Sequence, residues 1–216
     1  MNQRAEVEGW IRIAAAVILA AGCGAAGPAG PAGPAERSLP GAPSPAENFG
    51  ADLVGWWQLD EGSGTLAGDA SGLGNNGTLV GAAAFTSDAL LGTAVDLTAQ
   101  SGRVDVPHHA SLEPPVGTIE VWIKVAALQN TDVVAKTTDC RVRTDPMCLV
   151  PTGISVIGLR IQEDGGANAF IANDDPTTPG APWRTALSGP GLITPGEWHH
   201  LAMRWDGSEI ALFVDG

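Results

Sequence analysis

The sequence predicts an all-β protein: an antiparallel sandwich of two sheets, or jelly roll. From residue 53 onward, short apolar runs recur at near-regular spacing, separated by turns rich in glycine and asparagine. Within the clearest run, 118–125, apolar and polar residues alternate, as they do on a strand buried on one face. No window shows an apolar period of 3.6 residues over a helical length.

The strands are predicted in order along the body of the chain, at 53–59, 77–80, 94–97, 103–106, 118–125, 132–136, 154–162, 168–172, 198–205 and 209–214. The last two form a hairpin around Asp206-Gly207, because glycine accepts the positive φ of a tight turn. Asp215-Gly216 opens another turn that leads to no strand. We therefore expect the sequence to be a fragment whose last strand or strands are missing.

The amino terminus is predicted to be an export leader. The run IAAAVILAAG at 13–22 is too short to cross a bilayer core of about 30 Å, but it suits the apolar region of a signal peptide. The run ends in LAAGC at 19–23, which resembles a bacterial lipobox, so that Cys23 would be acylated. The alternative is an ordinary secretory signal.

The expected organisation is therefore a signal peptide at 1–22, then Cys23 with a Pro/Ala/Gly linker at 23–49, then one β domain at 50–216. The linker repeats Gly-Pro-Ala three times and buries almost nothing, so it is a spacer. Acyl chains on Cys23 would hold the protein at a membrane without a spanning helix. Gly24, rather than an aspartate, follows the cysteine. By resemblance to enterobacterial lipoproteins, this implies transfer to the outer membrane of the cell envelope.

The formal net charge of −13 excludes two classes of partner. Nucleic acid needs Lys and Arg to neutralise its phosphates, and adhesion to anionic lipid needs a basic patch. Membrane association is therefore expected only through the lipid anchor. An acidic surface is compatible with calcium, although acidity is also an ordinary means of solubility.

Two segments near the start of the body identify a resemblance. LVGWWQLDEGSGT at 53–65 and DASGLGNNGTL at 69–79 resemble the opening of the laminin-G-like, concanavalin A-like lectin/glucanase jelly rolls. Later landmarks follow in order: VDVPH at 104–108, TIEVWIK at 118–124, EWHHLA at 197–202 and FVDG at 213–216. The resemblance implies a two-sheet antiparallel jelly roll and a further closing strand that this sequence lacks.

A calcium site is the first candidate for site chemistry. Asp69, Asn75 and Asn76 place hard oxygen ligands in one glycine-rich loop, with Asp60 as a poorer addition. In domains that resemble this one, calcium often sits near that loop. The alternative is a hydrogen-bonded turn, because turns use the same residue types.

Cys140 and Cys148 bracket a short loop, and in an exported protein they are expected to form a disulfide. A pair of free thiols is the alternative. The histidine pairs at 108–109 and 199–200 do not predict a metal site. No carboxylate or cysteine accompanies them at ligand spacing, and adjacent residues on a strand point to opposite faces.

Glycoside hydrolysis needs two carboxyl groups about 5 Å apart in retaining enzymes, and related glycanases supply them through a Glu-x-Asp-x-Glu strand. Here the corresponding strand places Trp122 and Lys124 after Glu120, so the pair is absent. Exposed tryptophans can instead stack on sugar rings. The candidates are Trp122, Trp183 and Trp57, although each is also a plausible core residue.

These observations lead to one expected function and two alternatives. The first is an exported, membrane-anchored, non-catalytic binding module whose ligand is a glycan. The second is a structural or adhesive domain that binds an extracellular protein partner, with calcium stiffening a loop. The third is a glycoside hydrolase-like enzyme. The sequence does not determine the oligomeric state.

Overall fold

The computed structural model describes residues 11–20, 53–87, 92–98, 101–137, 154–173 and 184–216. These residues form fourteen strands and one short 3₁₀ turn at Ala110–Leu112. Among them no helix is long and apolar enough to cross a membrane. In chain order the strands are β1 (Ile11–Ala20), β2 (Leu53–Trp56), β3 (Leu66–Ala67), β4 (Gly77–Val80), β5 (Ala84–Thr86), β6 (Ala94–Asp96), β7 (Arg103–Asp105), β8 (Gly117–Val125), β9 (Thr131–Thr137), β10 (Ile154–Ile161), β11 (Ala167–Asn173), β12 (Arg184–Leu187), β13 (Trp198–Trp205) and β14 (Ile210–Val214).

The strands assemble into three antiparallel sheets. The largest has the order β14-β13-β8-β1-β6-β5, with β2 also paired to β1. A second sheet has the order β12-β11-β10-β9, and a small third sheet has the order β3-β4-β7. The all-β jelly-roll prediction is confirmed.

Alternation along β8 divides the largest sheet into an inner and an outer face. Residues 117, 119, 121, 123 and 125 are buried, and the residues between them are half-buried. The buried side chains meet those of β10, β11 and β13 in one hydrophobic core. Its most completely buried large members are Ile119, Ile123, Leu159, Ile161, Ile193, Leu201 and Met203. Burying one such side chain contributes about 1.5–3 kcal/mol, so the two principal sheets hold together mainly through this layer.

The four-stranded sheet includes a close contact that requires glycine. The ring of Phe170 on β11 lies across Gly158 on β10, where an added Cβ would come within 2.3 Å of the ring. Arg160 extends over the same ring, 5.6 Å from its centroid, and forms a paired hydrogen bond with Asp132 at 2.7 and 3.2 Å. Glycine at 158 thus makes room for an aromatic cover on the outer surface of this sheet.

Strand β1 lies within the segment at 1–22 that is predicted to be a signal peptide. In the structure it pairs with β8 along one side, and with β6 and β2 along the other. A short apolar run suits a central strand as well as a leader, so sequence pattern alone does not separate these two uses.

Candidate functional site

The Asp69 carboxylate is the centre of the loop in which calcium is expected. Its Oδ1 accepts hydrogen bonds from the backbone N–H groups of Trp56 and Ser71, both at 2.9 Å. Its Oδ2 accepts from the Ser71 hydroxyl and from the backbone N–H of Asn75, both at 2.8 Å. One carboxylate therefore ties the end of β2 to the loop that follows β3.

Asn75 extends this network into the interior. Its side chain is only 5% exposed, and its Nδ2 donates to the Val54 carbonyl at 2.7 Å and to the Ser111 hydroxyl at 2.9 Å. Its own carbonyl accepts the indole N–H of Trp57 at 2.8 Å. Neighbouring Asn76 accepts a hydrogen bond from the backbone N–H of Asp69 at 2.8 Å. The structure thus brings together Asp69, Asn75 and Asn76.

These contacts fit a hydrogen-bonded turn better than a calcium site. A carboxylate has about four lone-pair positions, and four donors already point at those of Asp69. Exposed Asp60 lies outside this network, and no group of three or more His, Cys, Asp or Glu residues that could hold a metal occurs among the described residues. A calcium site at this loop stays a prediction.

The same contacts perturb the ionisation of Asp69. Partial burial works to raise the pKa of this carboxyl group, but the hydrogen bonds from Trp56, Ser71 and Asn75 together hold the pKa below its ordinary value of 3.8. The folded loop therefore favours the ionised form, because each donor stabilises negative charge on the oxygens.

A second candidate site lies on the outer face of the largest sheet. There Trp122 on β8 pairs in register with His200 on β13, and their rings lie 5.1 Å apart at 43°. Trp198 pairs with Lys124, and Phe213 on β14 extends the same face beside Ala202. We call Trp122, Trp198, His200 and Phe213 the aromatic face. Its rings are half-buried or exposed, unlike the buried residues on the inner face of β8 and β13.

The polar groups of the aromatic face do not form a pair of carboxylates. Glu120 is half-buried, and its Oε2 lies 3.7 Å from Nε2 of His200. Four residues further along β8, where a related glycanase strand would carry its second acid, the side chain is Lys124. The strand therefore offers one carboxylate beside an imidazole and an indole.

Two of the three tryptophans predicted to bind ligand lie in different environments. Trp122 lies on the outer face, half-buried, as a ligand-stacking residue would. Trp57 is 5% exposed, belongs to the core and donates its indole N–H to the backbone carbonyl of Asn75. It follows β2 directly and forms an isolated antiparallel bridge with Asp69.

Several other predicted residues lie outside the described part of the chain. They are Trp183, both cysteines of the expected disulfide, Cys140 and Cys148, and the expected lipidation site, Cys23.

A network around the buried His199 at the carboxyl end was not predicted from the sequence. Nε2 of His199 accepts a hydrogen bond from the backbone N–H of Thr194 at 2.9 Å, so Nδ1 is the ring donor to Asp215 at 2.8 Å. The other oxygen of Asp215 accepts from the backbone N–H of His200 at 2.8 Å, and the Asp215 backbone N–H donates back to the His200 carbonyl. Asp215 has a φ of 57°, a left-handed conformation that this closed arrangement holds in place. The signal was present in the sequence as HH at 199–200 followed by FVDG at 213–216.

A laminin G family model described as the Concanavalin A-like lectin/glucanases superfamily matches residues 97–216, more than half of the chain. The chain belongs to this superfamily. The match includes β8, β13 and β14, the strands that carry the aromatic face. No curated protein and no solved structure gave a significant match.

Membership of this superfamily agrees with the resemblance seen in the sequence and with the antiparallel sheets of the structure. The superfamily includes both glycanases and non-catalytic lectins, so it supports a binding module for carbohydrate or protein at a coarse level. Whether this domain resembles the glycanases or the non-catalytic lectins must be argued from its own residues.

Proposed function

We propose that this concanavalin A-like domain is a non-catalytic module that binds glycans through its aromatic face. One observation carries the proposal: Trp122 stands on the outer face of the central strand β8, half-buried and supported by the ring of His200. A ring held in this way offers its apolar surface to a sugar with little loss of side-chain freedom on binding. Aromatic residues are also the usual energetic anchors of binding surfaces.

The polar neighbours of Trp122 fit a sugar ligand. Glu120 and Lys124 flank it on the same side of β8 and supply an acceptor and a donor for hydroxyl groups. A small number of such polar groups beside an apolar surface fixes the orientation of a bound small molecule.

The arrangement favours binding over hydrolysis. A retaining mechanism needs a second carboxyl group about 5–5.5 Å from the first, and Lys124 occupies the position from which a related strand would supply it. We therefore propose that the domain is not an enzyme. Incubation with laminarin-type β-glucans should release no reducing sugar, and release that disappears in a Glu120→Gln variant would refute the proposal.

We further propose that the domain is exported and is anchored in the cell envelope through Cys23. The support is the lipobox-like LAAGC at 19–23 and the spacer that follows it. Mass spectrometry of the protein made in a bacterial host tests this directly. We expect a mature chain that begins at an acylated Cys23, and an intact Met1 terminus in the cytoplasm would contradict it.

A glycan array tests the binding proposal. The wild type is expected to bind at least one glycan, and Trp122→Ala is expected to lose at least tenfold in affinity, which corresponds to about 1.4 kcal/mol. Leu187→Ala is the matched control, because Leu187 is an exposed apolar residue on the other principal sheet. Thermal melting of each variant separates lost binding from lost folding.

An adhesive module that binds protein is the second candidate. It is favoured by Leu187 and Leu192, two leucines that are 63% and 47% exposed on β12 and the loop after it. In this case no glycan would bind, and Leu187→Ala rather than Trp122→Ala would weaken attachment to a protein-coated surface.

A further inference from the structure

The strand register places two rings of the aromatic face far apart. Trp122 on β8 lies opposite His200 on β13, and Phe213 on β14 lies opposite Ala202 on β13. His200 and Ala202 are two residues apart on one strand, and β13 separates β8 from β14. With a rise of about 3.3 Å per residue and a spacing of about 4.8 Å between strands, the Cα atoms of Trp122 and Phe213 lie about 12 Å apart.

The surface between these two rings is low and polar. Ala202 is only 7% exposed, whereas Phe213 beside it is 41% exposed. The other register partner of Ala202 is Glu120, and exposed Arg204 follows on the same strand. Alanine has the shortest side chain of this group, so the surface forms a shallow depression there. Oε2 of Glu120 and Nε2 of His200 lie 3.7 Å apart, which is longer than a hydrogen bond, so both atoms keep their capacity to bond a ligand.

We propose that the aromatic face binds an extended stretch of a neutral polysaccharide, which runs obliquely from Trp122 across Ala202 to Phe213. This assignment rests on the proposed function and narrows its ligand. A pyranose is a six-membered ring, as the ring of phenylalanine is, so a sugar stacked on Trp122 cannot also cover Phe213. Contact with both rings at this separation therefore needs a chain of about three sugar units or more.

The charge of the protein favours a neutral polymer over an acidic one. The net charge of −13 repels a polyanion at long range, and Glu120 lies beside the path that the sugars would follow. Hydroxyl groups of a neutral chain can donate to Glu120 and accept from Arg204. A strand that pairs beside β14 would lie in the plane of the sheet, so it would extend the aromatic face without covering it.

Calorimetric titration of the full chain with oligosaccharides of graded length tests the inference. Laminari- and cello-oligosaccharides, from the monosaccharide to the hexasaccharide, are the first two series, and the best neutral glycan of the array supplies a third. Oligogalacturonides serve as the charged comparison. We expect affinity to rise by about tenfold or more from the disaccharide to the tetrasaccharide and then to level off, because added units extend beyond both rings.

Two variants separate recognition of length from stacking on Trp122. Phe213→Ala should weaken binding of the hexasaccharide by about fivefold or more and leave the weak binding of the disaccharide unchanged. Ala202→Leu should act in the same way, because it raises the surface between the two rings. Trp122→Ala should weaken binding at every length. Leu187→Ala is again the matched control, and thermal melting shows whether each variant is folded.

Three results would overturn the inference and leave glycan binding itself in place. The first is equal affinity for the disaccharide and the hexasaccharide. The second is unchanged hexasaccharide binding in a folded Phe213→Ala variant. The third is tighter binding of oligogalacturonides than of every neutral series. Absence of binding to any glycan would overturn the proposed function, and this assignment with it.

Discussion

Replacing Asp69 with asparagine is expected to destabilise the domain by about 2 kcal/mol, even though the side chain keeps its shape. The carboxylate accepts four hydrogen bonds, two at each oxygen. A carboxamide offers one oxygen and one NH₂ group, so one of these pairs loses its acceptor. The less costly orientation turns the NH₂ toward the Ser71 hydroxyl, which can rotate to accept, and toward the backbone N–H of Asn75, which cannot.

The magnitude follows from what is lost at Asn75. A hydrogen bond to a charged group contributes about 1.5–3 kcal/mol, and here the backbone N–H would face another donor. The loop is partly open to water, which lowers the penalty toward the middle of that range. Urea unfolding followed by tryptophan fluorescence measures the change. With a slope of about 2 kcal/mol/M, the midpoint should fall by about 1 M without a change in slope.

Asp60→Asn is the matched control. Asp60 is an exposed carboxylate near the same loop, so its replacement should change stability by less than about 0.5 kcal/mol. Equal midpoints for wild type and Asp69→Asn would refute the reasoning. So would a wild-type midpoint that rises with millimolar calcium, falls with EDTA, and loses both responses in Asp69→Asn.

The pH dependence of this difference has a defined sign. The pKa of Asp69 is lower in the folded protein than its ordinary value of 3.8, so its ionisation stabilises the fold above that value. This contribution is lost as the pH falls through the folded pKa. The gap between wild type and Asp69→Asn should therefore be full at pH 6 and shrink below about pH 4. A gap that widens in acid would contradict the account.

Three further predictions concern other parts of the domain. Gly158→Ala should cost about 1–3 kcal/mol in urea unfolding, because its Cβ would meet the ring of Phe170 at 2.3 Å, and Phe170→Leu in the same chain should recover part of the loss. Followed by NMR, Asp206 should titrate with a pKa of about 2, because backbone and hydroxyl donors in its turn stabilise the carboxylate. Ser208→Ala should raise that pKa. His199→Phe should destabilise by about 1–3 kcal/mol, because it leaves the backbone N–H of Thr194 and one oxygen of the Asp215 carboxylate without their partner; an unchanged midpoint would show that the network contributes nothing.

Much of the fold could be predicted because β8 and the terminal hairpin have strong local signals. Strict alternation over 117–125 and the turn at Asp206-Gly207 determine strand, face and connection without reference to the rest of the chain. The short strands Leu66–Ala67, Ala84–Thr86 and Arg184–Leu187 were not predicted. They are too short to show a period, and only pairing with distant strands defines them.

The site was harder to predict, because residue type does not reveal what a side chain already contacts. Asp69 and Asn75 were correctly placed in one loop, but their donors, which include the backbone of Trp56, appear only once β2 lies beside that loop. From the sequence, Trp57 and Trp122 were both predicted to stack on a sugar ring. Packing separates them, since one lies in the core and the other on the outer face of β8.

Fluorine NMR of protein labelled with 5-fluorotryptophan, titrated with the best glycan from the array, tests the central claim most directly. The resonances of Trp122 and Trp198 on the aromatic face should shift together and saturate at one dissociation constant. Those of Trp57 and Trp205, which lie in the core, should stay in place. Shifts confined to the core tryptophans, or no shift at a saturating concentration, would contradict binding at the aromatic face.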